Sequence, residues 1–448
     1  MARSAAVVHQ RSIDVEEDQA SAHRPGSINF ASLRRASLLV LFLTVFIDLI
    51  GFGMVIPFLS FYAREYGASG VVVGAVVGIY SIMQFFFAPV WGRLSDRIGR
   101  RPVILISLTA SFCGYFLFAI ADNLAILFLS RIIAGAGGAN IGTAQAYITD
   151  ITTDRERARG MGLIGAAFGL GFILGPPLSG ILSAVGTNRG LTGNLLPGLV
   201  AAGLSLVALI LAFSVLAESK PPGVHPRSAR PPQFDPRLWK AVGSQGSLTA
   251  LMSGLFLTLI AVAGMEITVT LHARDRFHFE QLDLAYLFLF MGVIVGAIQG
   301  GLIGKFANAI GEKRLIVIGA LSFSIAFIAV PDLWRIPLLY VAAFFVAIGQ
   351  GLTYPSLTSL VSKAAPISER GSILGFATAV GSLARFIGPI VSGFFYDLGG
   401  PRGAFYGAAG FTILAMIIAT TIRQPADKEP VETAAAEVAA GDPTIQSS

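Results

Sequence analysis

The chain has 448 residues, of which 54% are apolar and only 13% are charged, with a formal net charge of +6. Soluble domains carry about 25% charged residues, and a soluble protein this apolar would expose large hydrophobic patches. The composition therefore excludes an ordinary soluble protein, and a single cysteine, Cys113, excludes a disulfide framework or a clustered thiolate site.

Twelve apolar runs follow one another along the chain, each close to the ~20 residues that a helix needs to cross a hydrocarbon core of ~30 Å. We predict membrane-spanning helices near residues 36–60, 70–91, 102–121, 124–147, 160–182, 196–217, 248–272, 284–303, 314–331, 337–361, 372–396 and 403–422. An even number of spans places both termini on one side, where Lys and Arg are concentrated. The positive-inside rule therefore predicts cytoplasmic termini, and the net positive charge needs no nucleic-acid partner.

Two stretches of the chain repeat at nearly the same separation in sequence. Residues 92–101 are echoed by residues 304–313, and Gly175-Pro176 is echoed by Gly388-Pro389. Such repeats predict an all-α membrane protein of two six-helix bundles, related by an axis along the membrane normal, with the substrate site between them near the midplane. The expected divisions are a cytoplasmic N-terminal tail at 1–35, a first bundle at 36–217, a stiff cytoplasmic Pro-rich linker at 218–247, a second bundle at 248–422 and a disordered cytoplasmic tail at 423–448.

Four charged residues fall clearly inside the predicted spans: Asp48, Arg131, Glu266 and Arg385. A charge at the bilayer centre costs from a few to more than ten kcal/mol, so it is tolerated mainly where it faces protein or water and serves a function. We expect Asp48 to bind and release protons, with Arg131 as its counter-charge. We expect Glu266 to bind a cationic substrate or to act as a second proton carrier. A structural ion pair, or for Arg131 a side chain that snorkels to the outer interface, is the alternative for these groups.

Several motifs resemble those of the major facilitator superfamily. The loop at 92–101, which reads GRLSDRIGRR, matches the family's signature between the second and third helices nearly throughout. Residues 131–137 resemble the fourth-helix motif that the family associates with proton coupling. Residues 169–180 resemble the fifth-helix motif of antiporters, and residues 48–57 resemble the first helix of drug exporters. Over roughly residues 35–425 the chain is similar to the bacterial drug:proton antiporters, the tetracycline efflux group most of all.

The resemblance implies a transporter that exports lipophilic or cationic drugs in exchange for protons by alternating access. It further implies a monomer in the bacterial inner membrane that confers antibiotic resistance, uses no cofactor and is driven by the proton gradient. The tetracycline exporters carry an acidic residue in the third helix and another in the ninth. This chain has neither, and it has Cys113, Gly114 and Tyr115 in that region of the third span. The difference argues against a metal-chelated tetracycline as the substrate.

Two other functions stay open at this point. A proton symporter or facilitator for a sugar or organic-anion nutrient is favoured if Arg131 and Arg385 form a positive pocket, because Arg385 must pair with an acid or bind an anionic group. A membrane receptor or scaffold that kept only the fold is disfavoured by the intact loop motif and the buried acids. The sequence contains no Walker loop and no His/Cys/Asp cluster with metal-ligand spacing, so neither an enzyme nor a metal site is expected.

The loop signature is interpreted as a conformational latch on the cytoplasmic face. If Asp96 lies near the cytoplasmic start of the eleventh helix, its negative charge gains roughly 0.3–1 kcal/mol from that helix's dipole. The latch is expected to close in the outward-facing state and to open in the inward-facing state. Its residues are Gly92, Asp96, Arg97, Gly99, Arg100 and Arg101, joined by Asp150 and Arg157.

Polar residues inside the apolar spans are expected to line the substrate cavity. They are Gln84, Asn140, Gln145 and Gln299, with Arg385, and an aromatic surface for lipophilic drugs is expected from Phe52, Phe85, Phe86, Phe168 and Phe172. Close helix packing and helix kinks near the cavity are expected at Gly135, Gly175, Pro176, Gly388 and Pro389. His272 and the residues 274–276 that follow it are expected to face water.

Overall fold

The computed structural model describes residues 30–219, 232–366 and 369–422, and these ranges contain helices and turns but no strand. The predicted tails lie almost entirely outside the described residues, apart from the first turns of a helix that begins at Phe30.

The first half of the described chain contains seven helices. They are α1 Phe30–Glu65, α2 Gly70–Ile98, α3 Arg100–Ala119, α4 Leu124–Gly137, α5 Ile141–Ile151, α6 Asp154–Thr187 and α7 Leu195–Val215. A 3-10 turn at Gly138–Asn140 joins α4 to α5, so that the two form one membrane span. Six spans therefore come from this half.

The second half contains α9 Gly246–Phe277, α10 Gln281–Ala297, α11 Ile303–Ile310, α12 Glu312–Ala329, α13 Ile336–Ala364 and α14 Arg370–Thr421. A π turn at Ile298–Leu302 joins α10 to α11. In α14 the backbone at Gly400 has φ 61° and ψ −154°, which separates two spans within one continuous stretch. Because Pro401 follows and has no N–H to donate, the hydrogen-bond ladder is broken at the same point.

Eleven continuous helical stretches among the described residues are long and apolar enough to cross a membrane, and α14 holds two spans. The predicted fold class, with twelve spans in two six-helix bundles, is confirmed. The helices run several residues past the predicted spans, as at Glu65 and Phe277. Hydropathy marks only the apolar part of a helix, whereas polar turns continue into the aqueous layer.

The two loops that repeat in sequence also share backbone geometry. Gly99 joins α2 to α3 with φ 103° and ψ 162°, and Gly311 joins α11 to α12 with φ 82° and ψ 148°. Side chains other than hydrogen strain a backbone with such positive φ angles, so both turns require glycine.

The predicted linker contains a helix that the sequence analysis missed. After a 3-10 turn at Pro232–Phe234, helix α8 runs from Pro236 to Ser244. Its N-cap is Asp235, whose side chain accepts a hydrogen bond of 2.9 Å from the backbone N–H of Arg237. Proline in the first turn favours a helix start, although the proline content of the whole segment is typical of an extended linker.

The two halves are closed against each other at the outer end of α2. The carboxylate of Asp397 in α14 accepts hydrogen bonds of 2.7 Å from Gly70 N and 2.9 Å from Val71 N. At the opposite end, α11 has no buried residue, and Gln299 before it is exposed. Taken together with the predicted cytoplasmic termini, a closed end at Gly70 and an uncovered end at α11 lead us to interpret the conformation as inward-facing.

Candidate transport site between the two halves

The carboxyl group of Asp48 lies in the interior of α1, where no described residue forms an ion pair with it. Its side chain is 7% exposed, and Oδ1 makes no hydrogen bond to any residue that the structure describes. Ser111 of α3 lies beside it and is itself buried. Among the described residues, no Lys, Arg or His lies within 4 Å of Asp48 in a salt bridge. The alternative of a structural ion pair is therefore not seen for Asp48 among the described residues.

Tyr115 of α3 connects Asp48 to Arg131. Its hydroxyl donates a hydrogen bond of 3.3 Å to the backbone oxygen of Asp48. The ring fits there because Gly51 has no side chain, since a Cβ at that position would lie 2.9 Å from it. The guanidinium carbon of Arg131 lies 5.8 Å from the Tyr115 ring centroid and 5.0 Å from that of Phe118. Arg131 is thus held by aromatic faces.

The guanidinium of Arg131 retains donor capacity in spite of complete burial. The residue is 1% exposed, its Nε donates to Ser130 Oγ at 3.1 Å, and its Nη2 has no partner among the described residues. A side chain that snorkels to the interface would be wet at its tip, so the structure does not support that alternative. The free donor faces the interior of the protein.

Tyr80 of α2 lies where the two halves meet. Its ring centroid is 4.7 Å from that of Phe52, and its hydroxyl occupies the space that a side chain on Gly138 would fill. Tyr80 interacts electrostatically with Asp48 and Arg131 of the first half and with Arg385 of the second. It therefore bridges the charged groups of both bundles.

Glu266 of α9 and Arg385 of α14 form the charged part of the second half. Arg385 Nη2 donates to Ser382 Oγ at 3.2 Å, and its charge interacts with Glu266 and Tyr354 without an ion pair within 4 Å among the described residues. Glu266 is thus the acid whose charge acts on Arg385 in this conformation. The site thus contains two buried groups, Asp48 and Arg131, and two half-buried groups, Glu266 and Arg385. None of the four forms an ion pair with another described residue, and together they could hold a proton or an organic ion.

The other residues predicted to line the cavity differ in position: two make hydrogen bonds inside the protein and two are exposed. Gln84 Nε2 donates to Gly138 O at 3.1 Å, beside Tyr80. Asn140 is buried and donates to Ser107 Oγ at 2.5 Å, so it joins α3 to the α4–α5 turn. Gln145 and Gln299 are exposed. The structure thus brings Gln84 close to the charged site and places Asn140 in a helix contact.

The predicted aromatic lining is only partly described. Phe52 packs on Tyr80, and the rings of Phe85 and Phe86 make an edge contact at 5.3 Å. The side chains of Phe168 and Phe172 lie outside the described part of the chain.

The predicted latch residues close on their own half in this conformation. Arg100 Nη1 lies 2.8 Å from Asp96 Oδ1, and Arg100 Nε lies 3.1 Å from Asp150 Oδ2. Arg101 Nη2 donates to Phe213 O at 2.7 Å. Arg97 is exposed and Gly92 half-buried, while the side chain of Arg157 is outside the described residues. The opening and closing of the latch, and its role in transport, stay predictions.

Glu218 is a participant that the sequence analysis missed. Its carboxylate accepts hydrogen bonds of 2.8 Å from Arg100 N and 3.1 Å from Arg101 N, and so caps the first turn of α3. Glu218 lies far from α3 in sequence, so no local pattern predicts the contact.

Tyr80 and Tyr115 were not predicted for a different reason. An aromatic residue in an apolar span has the same sequence signature whether it faces lipid or protein.

The predicted packing and gate residues lie at tight helix contacts. A Cβ would lie 2.6 Å from Tyr80 O at Gly135, 2.6 Å from the carbonyl carbon of Gly53 at Gly175, and 2.5 Å from Ile260 O at Gly388. Pro176 and Pro389 are inside α6 and α14 and are buried.

The prediction that His272 faces water is wrong. The residue is 3% exposed, and its ring lies 5.9 Å from that of Phe277 and 5.7 Å from that of Phe405. Helix α9 continues past His272, and the second span of α14 covers this face, which hydropathy along α9 cannot reveal. Asp275 and Arg276 are exposed as expected. Within the described ranges, no three His, Cys, Asp or Glu residues are arranged to hold a metal ion.

Comparison with known proteins shows which family and which characterised proteins this chain is similar to. A family model described as Major Facilitator Superfamily matches residues 41–331 and 294–445. The chain is 30% identical over 359 residues to "Tetracycline resistance protein, class C" of Escherichia coli, covering 79% of this chain and 88% of that protein. It is 30% identical over 376 residues to "Multidrug resistance protein 1" of Bacillus subtilis (strain 168), covering 82% and 91%.

Two solved structures share the architecture. The human organic anion transporter MFSD10 (TETRAN) aligns with a TM-score of 0.63 at 25% identity, covering 86% of this chain and 99% of that one. A bacterial homolog of the human lysosomal transporter Spinster, in an inward-facing and unoccupied conformation, aligns with a TM-score of 0.71 at 16% identity, covering 88% and 96%. The second likeness concerns the fold alone.

Proposed function

We propose that this chain, which belongs to the major facilitator superfamily and is a multi-pass membrane transporter, is a proton-coupled antiporter that exports lipophilic or cationic organic compounds. It would work by alternating access as a monomer in the bacterial inner membrane, with both termini in the cytoplasm and the proton gradient as its only energy source.

The observation that carries this proposal is the unpaired carboxyl group of Asp48. A charged carboxylate in the membrane interior is costly unless it is paired, and binding of a proton removes that cost. In the protonated form Asp48 is compatible with a closed, dry environment, whereas the ionised form needs water or a cation. Occupancy of Asp48 by a proton or by a cationic substrate can therefore bias which side of the protein is open.

The inward-facing conformation supports the first step of such a cycle. Asp48 would lose its proton to the cytoplasm, and a cationic or lipophilic compound would bind near Tyr80 and the aromatic side chains around it. After the halves rock to the outward-facing state, a proton from outside would displace the compound. A membrane potential adds ~2.3 kcal/mol per charge moved through 100 mV, which favours inward movement of the proton.

The names of the relatives support export, and one local difference narrows the substrate. The third helix has Tyr115, not a carboxylate, next to the proton site. We therefore propose organic compounds that bind without a metal ion, in preference to a chelated tetracycline.

The test uses inverted membrane vesicles whose interior is acidified by respiration. A pH-sensitive dye follows proton efflux after each member of a panel of cationic and lipophilic drugs is added. We expect drug-dependent efflux from the wild type and none from Asp48→Asn, with Asp122→Asn, an exposed aspartate outside the spans, as the matched control. Equal efflux from Asp48→Asn and wild type would refute the proton role of Asp48.

A second candidate function is transport of organic anions. Among the described residues, Nη2 of Arg131 has no hydrogen-bond partner and the guanidinium of Arg385 forms no ion pair, and both features favour this function. The solved relative MFSD10 is named an organic anion transporter. Uptake and efflux of anionic dyes by vesicles would decide. Transport of anions that Arg385→Gln abolishes, with no response to cationic drugs, would favour this function over drug export.

A further inference from the structure

Helix α2 contains a carbonyl group that its own backbone cannot satisfy. Pro89 lies inside α2 and has no N–H, so the carbonyl of Phe85, four residues earlier, has no partner in the helical ladder. Inside a membrane such a carbonyl must find another donor or lose stability. The donor is Gln233 of the linker between the halves, whose Nε2 lies 3.1 Å from Phe85 O.

The linker residues around this bond are held in place. Gln233 is 9% exposed, and its own backbone oxygen accepts a hydrogen bond of 3.0 Å from Trp239 Nε1. The ring of Phe234 meets that of Phe85 edge-on, with 5.8 Å between centroids. The linker thus contacts α2 through one buried hydrogen bond, from the Gln233 amide to the Phe85 carbonyl, and through one pair of aromatic rings.

The other end of the segment is anchored on the second half. Leu238 and Val242 of α8 are buried in the same apolar cluster as Phe376 of α14. The ring of Trp239 lies 4.7 Å from that of Phe376, in an edge contact. The segment 232–244 therefore spans the gap between α2 and α14.

The position of the contact along α2 places the segment in the transport path. Helix α2 begins at Gly70, on the closed outer side, and ends at Ile98 next to the loop motif. Phe85 lies five residues past Tyr80 toward that inner end, about 7.5 Å along the helix axis. The segment therefore contacts α2 on the side of the charged site that faces the predicted cytoplasm.

We propose that residues 232–244 form a cytoplasmic gate, the linker gate, which bridges the inward-facing halves through Gln233 and must leave α2 in every transport cycle. When the inner ends of the halves approach each other, the space between α2 and α14 closes, and Phe234 can no longer occupy it. The segment would stay docked on the second half and let go of the first. This inference rests on the alternating access of the proposed function, but not on proton coupling or on the substrate.

Cross-linking tests the release directly. In a Cys113→Ser background, Phe85→Cys with Phe234→Cys ties the gate to α2, and Trp239→Cys with Phe376→Cys ties it to α14. A short bifunctional thiol reagent is applied to each pair. We expect the first cross-link to abolish transport and the second to leave transport at the level of the untreated protein. Full transport with the first pair cross-linked would overturn the proposal, as would loss of transport with both pairs.

A conformational measurement tests the gate without any substrate. Spin labels on cysteines at Arg93 and Lys305, both exposed near the inner ends of α2 and α11, report the distance between the halves. We expect Gln233→Ala to reduce the ratio of inward-facing to outward-facing molecules by about tenfold, the factor for one hydrogen bond to a buried carbonyl. Gln245→Ala changes an exposed glutamine of the same linker and is the matched control.

A second variant acts on the other side of the same bond. Pro89→Ala restores an N–H to α2, so that the carbonyl of Phe85 is satisfied within the helix. We expect Pro89→Ala to shift the ratio in the same direction, and Gln233→Ala to change it less than about twofold further in that background, because the two changes remove one interaction. Additive effects would overturn the role of the freed carbonyl.

The two proposals fail in different ways. Absence of proton-coupled transport in the unmodified protein, together with the expected spin-label shifts, would reject the proposed function and keep the gate. Proton-coupled transport that persists with the first pair cross-linked would keep the function and reject the gate.

Discussion

At the scale of single residues, the proposed proton site owes its arrangement to aromatic side chains. Arg131 rests on the faces of Tyr115 and Phe118, and the hydroxyl of Tyr115 holds the backbone of Asp48. A guanidinium over aromatic rings is stabilised without cancelling the charge of a nearby acid. Among the described residues no ion pair joins Arg131 to Asp48, so the proposed proton exchange at Asp48 would not have to break one.

Two substitutions at Tyr115 distinguish the contribution of its ring to stability from that of its hydroxyl. Tyr115→Phe keeps the ring under Arg131, and we expect the melting temperature in detergent to stay close to wild type because the lost hydrogen bond is long. Tyr115→Leu removes one cation–π contact of a desolvated guanidinium and should destabilise the protein by ~1–2 kcal/mol. Thermal unfolding compares both variants with wild type. A Leu variant as stable as the Phe variant would contradict the contact.

At the scale of helices, the outer closure depends on the absence of side chains along one face of α2. Gly70, Gly74 and Gly78 are four residues apart and lie against Gly393, Pro389 and Phe386 of α14. Residues four apart share one face of a helix, so the three glycines form a continuous track. Backbone meets backbone along this track, which is what small residues permit in membranes.

A single methyl group on this track should prevent closure. A Cβ at Gly74 would collide with the backbone of Pro389, which cannot move aside. We expect Gly74→Ala to insert into the membrane but to lose most of its transport, because the inward-facing state becomes inaccessible. Gly203→Ala, where a Cβ meets nothing within 4 Å, is the matched control. Vesicle transport at normal expression level is the measurement, and equal rates for the two variants would contradict the argument.

At the scale of the whole molecule, the two halves are joined by contacts that belong to one conformation. Asp397 caps the start of α2 from the other half, where charge-assisted hydrogen bonds and the helix dipole act together. The linker gate joins α2 to α14 on the inner side. Both contacts stabilise the inward-facing state, so each contributes to the barrier for outward opening.

The Asp397 contact can be weakened without changing shape. Asp397→Asn keeps one acceptor oxygen but loses the charge and the second acceptor, and we expect it to lower the population of the inward-facing state by about tenfold. The spin-label pair on α2 and α11 provides the measurement. Asp332→Asn weakens a 2.6 Å ion pair with Arg402 inside the second half and should leave the population unchanged. A shift in the control alone would contradict the assignment.

Much of the fold could be predicted because the free energy of inserting a segment into the bilayer depends mainly on that segment's own composition. Twenty apolar residues identify a span wherever they occur, and glycines at 99 and 311 mark equivalent turns of the two halves. The linker helix α8 was not predicted because it is short, polar and amphipathic. Its apolar side chains are buried only by packing on the second half, which a local pattern does not show. His272 was misplaced for the same reason, since its cover comes from a distant part of α14.

The sequence by itself determined the class of protein, the spans, the family and the four charged residues inside the membrane. The class, the spans and the buried charges follow from the free energy of placing each side chain in hydrocarbon, which depends on local composition, and the family follows from short motifs such as residues 92–101. The tertiary structure alone decided that Tyr115 binds the backbone of Asp48, that Glu218 caps α3, and that Gln233 satisfies the carbonyl freed by Pro89. Each of these contacts joins positions far apart in the chain, and its existence depends on how all the other helices pack.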